Sequence, residues 1–213
     1  MNDLSYFHTC FSVSQKRVYS FVYVLCLMVC VVNGWSCADE ETQAPTMQSI
    51  SGFGEDLPDS CIIGEVDYIP ATSASHIDEL PISYEIEPPS SGDHRSQWAK
   101  WGAYETLPAE RWLHNLEHGG IVVLYQPGLI EEDYQAILQF LQNYPADEGG
   151  TLRWILTPYE SLTTPVALIT WQWRMFLSCW HEQDIQSFIQ RTYRRAPEDI
   201  AADGSYEEGW LSL

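Results

Sequence analysis

One short segment near the middle of the chain constrains the fold more than any other. Gly119 and Gly120 are followed at once by five apolar residues, from Ile121 to Tyr125. A fully apolar run rich in β-branched residues is typical of a buried strand in the centre of a sheet. Upstream, Pro108 marks the start of a short helix. The domain is therefore expected to form around this strand and to hold in place the residues that precede it.

The residues directly before this strand carry most of the possible metal chemistry of the chain. His114 and His118 are four positions apart, with Glu117 between them. Helix and strand both place the two imidazoles on one face, because four positions are about one helical turn and also an even number of strand positions. Only a helix places Glu117 beside His114; on a strand, Glu117 points to the opposite face and acts as a support for the ligands. The pair therefore predicts two ligands of one ion and leaves the backbone open.

Two further histidines precede this segment. His76 lies in a polar loop, and His94 ends a loop that begins with Pro88 and Pro89. Imidazole nitrogen is a common ligand of zinc and copper, whereas Mg²⁺ and Ca²⁺ take oxygen ligands. We therefore predict a copper or zinc ion as the cofactor and binding partner of the protein. The predicted metal ligands are His76, His94, His114, His118 and Glu117.

Two other functions remain open from the residues alone. In the first, the histidines are structural groups of a non-catalytic interaction or assembly module. In the second, the order His-x-x-Glu-His at residues 114–118 is the inverted zincin pattern of a metal-dependent hydrolase, and Glu117 activates water. That mechanism requires a long helix, and here two glycines and a strand follow at once. No serine triad order and no glycine-rich phosphate loop is visible, so the sequence favours binding over catalysis without deciding between them.

The remaining pattern predicts a single α+β domain over residues 61–199. Apolar residues recur at spacings of three and four within residues 131–144 and 182–193, as they do in amphipathic helices. Strands are expected within residues 61–70, 82–86 and 152–157, and one long strand over residues 166–177. The second half then runs strand, helix, strand, strand, helix, which fits a mixed β-sheet with both amphipathic helices packed on one face. A thioredoxin-like half and a ferredoxin-like half both fit this order.

Residues 1–36 have the features of a bacterial export signal. A basic pair precedes an almost wholly apolar run over residues 18–32, which is shorter than the roughly 20 apolar residues of a spanning helix. Cys37 precedes an acidic stretch, as at a lipoprotein processing site, so we expect a lipid on Cys37 and a flexible tether over residues 37–60. The expected location is the periplasmic side of a bacterial membrane, by default the outer membrane. An ordinary cleaved signal and an uncleaved anchor remain alternatives, because Gly34 stands where lipoprotein signals usually have a leucine-like residue.

The lipid predicted on Cys37 bears on the role of the other cysteines. With Cys37 lipidated, Cys61 and Cys179 remain as a pair in an oxidising compartment. They are predicted to form a disulfide, with free thiols or metal-binding thiolates as the alternatives.

Residues 200–213 are expected to form a poorly fixed acidic tail. The net charge of −20 argues against binding to nucleic acid.

Two motifs occur in order along the chain: Pro-Pro-x-Ser-Gly-x-His at residues 88–94 and His-x-Leu-Glu-His-Gly-Gly at residues 114–120. They resemble the core of a bacterial envelope family of unknown function, the one numbered thirty-one-oh-five among such domains. The Trp-rich stretch at residues 98–104 and the stretches at 167–171 and 188–198 extend this resemblance, which covers roughly residues 61–199.

The resemblance bears on where residues lie rather than on what they do. His76 falls where the family has a histidine. The chain departs from the family pattern at Asp93, where proline is usual, and at Gln172, where glycine is usual. These departures concern a loop and a strand, and they leave the histidines in place. Because the family has no established activity, the resemblance implies no mechanism.

Overall fold

The computed structural model of the protein describes residues 63–213. Its elements are β1 (Ile63–Tyr68), β2 (Gly102–Ala103), α1 (Ala109–Glu117), β3 (Ile121–Tyr125), α2 (Glu131–Asn143), β4 (Trp154–Pro158), β5 (Val166–Thr170), β6 (Trp173–Leu177) and α3 (Glu182–Thr192). The export signal, the tether with Cys37, and Cys61 at the start of the predicted domain all lie outside the described residues, so the lipid anchor and the disulfide from Cys61 to Cys179 remain predictions. Within residues 63–213, no helix combines the length and the apolar character needed to span a bilayer.

The six strands of the described residues join in one mixed sheet, in the order β1-β6-β5-β3-β4-β2. β3 runs parallel to β4 and antiparallel to β5, so it has a neighbour on each side. Its residues from Ile121 to Leu124 are fully buried, as predicted for the apolar run after the glycines. The α+β class with a mixed sheet is therefore confirmed, whereas a thioredoxin-like or ferredoxin-like arrangement is not confirmed.

Helices cover both faces of the sheet, because alternate residues of each strand point to opposite sides. α2 and α3 pack on the face that carries Val123 and Leu168. α1 packs on the other face, where its Trp112 and Leu116 contact the cluster that includes Val122. The expectation of two helices on one face therefore describes α2 and α3 and omits α1. α1 therefore places His114 on the face of the sheet opposite to α2 and α3.

The predicted long strand over residues 166–177 is wrong. β5 and β6 form an antiparallel hairpin in which Thr170 pairs with Trp173, so Trp171 and Gln172 make the turn. Gln172 has a φ of 69°, in the left-handed region that favours glycine. No glycine, proline or asparagine marks this turn in the sequence. The alternation of apolar residues continues across it, so the pattern predicts one unbroken strand. The backbone N–H of Gln172 donates to the carbonyl of Ser90, at 2.8 Å, which ties the hairpin to the loop that carries His94.

Residues 82–86 also form no strand. This segment packs beside the loop of His94 instead of pairing with the sheet. Within it, the hydroxyl of Tyr84 donates to the carbonyl oxygen of Asp93, at 2.8 Å. The alternating pattern there reflects one side packed against a loop, which periodicity alone does not distinguish from a half-buried strand.

The expected poorly fixed C-terminal tail is wrong for the segment that contains Tyr206 and Trp210. Tyr206 forms a bridge with Ala99, and Trp210 forms one with Tyr104. The ammonium group of Lys100 lies 3.7 Å from the centre of the Trp210 ring, a cation–π contact. Two backbone bridges and one cation–π contact thus hold an acidic segment against residues 99–104, next to β2.

Candidate metal centre

α1 brings the metal-binding candidates of the central segment together. His114 and Glu117 share one side of this helix, because residues three apart are neighbours on a helix surface. Gly119, with a φ of 81°, ends the helix in a left-handed conformation, and its N–H donates to the carbonyl of Leu116, at 2.9 Å. A Cβ atom on Gly120 would lie 2.5 Å from the ring of Trp101, so this tight exit requires glycine. His114 and Glu117 therefore lie on a helix, and not on the strand that the sequence left open as the alternative.

Backbone pairing between two loops adds His76 and His94. The N–H of His94 donates to the carbonyl of Ser75, at 3.0 Å, and the N–H of Ile77 donates to the carbonyl of His94, at 2.8 Å. His76 and His94 therefore lie opposite each other in a short parallel bridge. Arg95 fixes this pair against α1, since its N–H donates to the carbonyl of Glu110 and its guanidinium donates to the carbonyl of Ile77, each at 2.8 Å.

Four of the five predicted ligands converge. One ligand atom from each of His76, His94, His114 and Glu117 lies within 4.8 Å of all the others. Nε2 of His94 is 3.0 Å from Oε2 of Glu117, and Nε2 of His76 is 3.6 Å from the same oxygen. The side chain of His94 is fully buried and that of Glu117 is 9% exposed, whereas the side chain of His76 is 47% exposed. The group is therefore enclosed by protein on the inside and open to solvent at His76.

The hydrogen bonds of Nδ1 in His94 and His114 determine whether Nε2 of each ring carries a lone pair or a proton. Nδ1 of His94 lies 2.8 Å from the carbonyl oxygen of Gly92, and Nδ1 of His114 lies 2.7 Å from that of Arg95. A carbonyl oxygen only accepts hydrogen bonds, so both Nδ1 atoms must donate, and the neutral rings carry their lone pairs on Nε2. The Nε2 lone pair of His94 then faces the carboxylate of Glu117. Two acceptors at this distance repel each other unless a cation or a proton lies between them.

His118 lies beside the group without belonging to it. Its Nε2 is 3.1 Å from Nε2 of His114 and 3.1 Å from Oε2 of Glu198. Its Nδ1 is buried and has no hydrogen-bond partner within the part of the chain that the structure describes. Burial, reinforced by the nearby ring of His114, lowers the pKa of His118 to about 4. Burial also lowers the pKa of His114, so both rings favour the neutral form.

The candidate site lies within a stretch of the chain that matches a known protein family. Residues 76–205 match the family described as "Protein of unknown function (DUF3105)". The chain belongs to the DUF3105 family. The match begins at His76 and extends past Glu198, so it contains all the residues of the candidate site, and it confirms the family that the sequence resembles. No curated protein and no solved structure matches the chain.

Tryptophan rings form part of the wall of this DUF3105 site. The ring of Trp98 lies 4.9 Å from that of His114 and 4.6 Å from that of His118, between centroids. The side-chain amide of Asn115 holds the next residue, Ala99, by bonds to both its N–H, at 3.0 Å, and its carbonyl, at 2.8 Å. Trp171, at the hairpin turn, lies 6.4 Å from the ring of His94, edge to face. Tryptophan rings therefore pack against the imidazoles of His94, His114 and His118.

The segment after α3 closes the far end of the site and supplies Glu198. The N–H of Glu198 donates to the carbonyl of Glu117, at 3.1 Å, and the N–H of Arg194 donates to that of Gly119, at 3.0 Å. The guanidinium of Arg153 donates to the carbonyl of His118, at 2.8 Å, and also binds Asp199. These bonds satisfy carbonyl groups that the end of α1 leaves without helical partners. The residue patterns of the sequence did not single out Glu198 as a site residue, because it comes from a distant segment with no motif of its own.

Proposed function

We propose that this DUF3105 protein binds a copper or zinc ion through His76, His94, His114 and Glu117, on the periplasmic side of a bacterial membrane. The observation that carries this proposal is the Nε2 atom of His94, which faces the carboxylate of Glu117 at 3.0 Å while its Nδ1 donates to a backbone carbonyl. Histidines that ligate metals commonly hold their second nitrogen in this way. Three nitrogens and one carboxylate oxygen suit the preferences of Zn²⁺ and Cu²⁺.

A proton is the competing occupant, and it corresponds to the module with structural histidines. A proton on His94 would turn the contact with Glu117 into an ion pair. One proton satisfies one pair of atoms, however, and the inner nitrogens of His76 and His114 lie in the same group of ligand atoms, all within 4.8 Å of one another. A single cation satisfies all four ligand atoms at once. The convergence of four groups therefore favours the metal over the proton.

Metal-dependent hydrolysis is the second candidate function, and the exposure of His76 favours it. An ion bound beside a side chain that is 47% exposed can keep a coordination position for water. Glu117 would then have to act as the base. Glu117 is instead one of the four converging groups, and α1 ends at this residue. These two features support binding and exchange of the ion over hydrolysis.

The first test is the metal content of the full chain, purified without a histidine tag. We expect one Zn²⁺ or Cu²⁺ per chain by elemental analysis, and a higher midpoint of thermal unfolding than in chelator-treated protein. Free metal at about 100 times its Kd adds about 2.7 kcal/mol to the free energy of unfolding, because the ion binds only the folded form. Absence of bound metal, with no thermal shift on adding either ion, would contradict the proposal.

The proposed location rests on the leader and on Cys37. Cys37→Ser removes the sulfur that would carry the lipid and with it the processing site, so we expect the variant to incorporate no labelled fatty acid and to keep its leader, which makes it larger than the processed wild type. Cys10→Ser is the matched control, since this cysteine lies inside the leader that processing would remove. Fatty-acid labelling of cells, followed by immunoblotting for size, provides the measurement. A wild type that carries no label and has the same size as Cys37→Ser would favour an uncleaved anchor instead.

A further inference from the structure

The line of possible ligand atoms continues beyond the four-residue group. Nε2 of His118 lies 3.1 Å from Nε2 of His114, and on its other side it lies 3.1 Å from Oε2 of Glu198. His114 therefore belongs to two sets of donors. One set contains His76, His94 and Glu117, and the other contains His118 and Glu198.

The two ends of this line are exposed, whereas its middle is buried. The side chain of His76 is 47% exposed and that of Glu198 is 48% exposed. Between them, His94, His114 and His118 are at most 3% exposed. A series of nitrogen and oxygen donors thus connects two exposed side chains, His76 and Glu198, past buried imidazoles.

The geometry around His118 suits an ion as well as a hydrogen bond. The Nδ1–H of His114 is committed to the carbonyl of Arg95, so Nε2 of His114 presents a lone pair to His118. Nε2 of His118 carries at most one proton, yet it faces two acceptors, His114 and Glu198. A separation of 3.1 Å between the two Nε2 atoms also fits two imidazoles that bind one ion at about 2.0–2.1 Å each.

We propose that His118 and Glu198 form a second position for the metal ion, and that His114 is the ligand shared by both positions. This inference rests on the proposed function. An ion that moves between the positions exchanges its ligands one at a time and never loses all of them, which Zn²⁺ tolerates because it expands readily to five ligands. Loading and unloading can then occur at different ends of the line. The protein would serve as a carrier that passes a transition-metal ion onward, rather than as a closed store.

The test compares affinity with the rate of release in the full chain. Protein loaded with Zn²⁺ is mixed with a chromogenic chelator, and release is followed by absorbance. Glu198→Gln leaves the four-residue group intact, so we expect it to keep one ion per chain and to lose less affinity than His94→Gln, since Glu198 is half exposed and lies outside that group. Release is expected to slow about 10-fold, at the lower end of the effects of residues that support metal ligands. The exposed end of the line at His76 is unchanged in this variant. The slowing therefore measures release of the ion past His118 and Glu198.

Two further variants make the result specific. Glu132→Gln removes an exposed acid at the start of α2, on the opposite face of the sheet, and should release Zn²⁺ at the wild-type rate. His118→Gln should slow release as Glu198→Gln does, while keeping the stoichiometry.

The outcomes also separate this inference from the proposed function. Release from Glu198→Gln at the wild-type rate would overturn the second position while leaving the four-residue site intact. A loss of affinity as large as that of a variant lacking His94 would also overturn it, because Glu198 would then be a ligand of a single site. Failure of the wild-type chain to bind Zn²⁺ would remove both proposals together.

Discussion

Replacement of His94 by glutamine is expected to weaken Zn²⁺ and Cu²⁺ binding by about 100-fold or more. Loss of a residue that merely supports a ligand costs about 10- to 100-fold in metal affinity, and loss of a ligand should cost at least the upper end of that range. His94 is the strongest choice among the four groups, because it is fully buried and lies 3.0 Å from Glu117. Glutamine retains an amide that can still hydrogen-bond. Competition titration against a chelator of known affinity gives the measurement.

His181→Gln is the matched control for this experiment. His181 is a partly exposed histidine that pairs with Asp184 at the start of α3, and it is not among the residues of the candidate site. The control should bind metal as the wild type does. Circular dichroism of both metal-free variants checks that the fold is retained. Equal metal affinity in the wild type and in folded His94→Gln would contradict the metal site and favour histidines with a structural role.

The positions of His94 and His114 as ligand candidates could be predicted, because local signals in the sequence mark them. His94 follows a Pro-Pro turn, and His114 lies just before two glycines and an apolar strand. Their convergence could not be derived, since the backbone pairing of Ser75 and Ile77 with His94 joins two irregular segments that have no periodicity. The sequence also left helix and strand open for residues 114–118. Because these residues form a helix, Glu117 lies within the four-residue group and His118 lies beside it.

Other features escaped prediction because long-range contacts determine them. Gln172 adopts the left-handed conformation without the glycine that would announce a turn, and backbone bonds to Ser90 and Ile69 hold it there. Glu198 reaches His118 only because the segment after α3 bonds to the carbonyl groups at the end of α1. Periodicity reports which side of an element is apolar. It does not report which distant segment will satisfy the end of a helix.

Acidification of the metal-free protein is expected to remove about 3 kcal/mol of stability through His118 alone. Burial lowers the pKa of this ring from the usual 6.5 to about 4 in the folded chain, and a tenfold change in proton affinity between the folded and unfolded chains corresponds to about 1.4 kcal/mol. The unfolded chain binds a proton at His118 below about pH 6.5, whereas the folded chain resists it until about pH 4. The contribution of the neutral ring is therefore complete above about pH 6.5 and is lost progressively as the pH falls toward 4. Glu198 opposes this lowering of the pKa, but it is half exposed and screened by solvent, so burial dominates.

The contribution of His118 can be isolated by comparing the wild type with His118→Gln, because all other titrating groups are common to both proteins. Urea unfolding in the presence of a chelator, at several pH values between about 7 and 4.5, gives the free energy of unfolding of each. The variant should lose less stability than the wild type over this interval, so the gap between the two curves should change with pH. His181→Gln controls for the removal of a histidine outside the site. A gap between wild type and His118→Gln that stays constant with pH would show that the folded protein does not hold His118 in its neutral form.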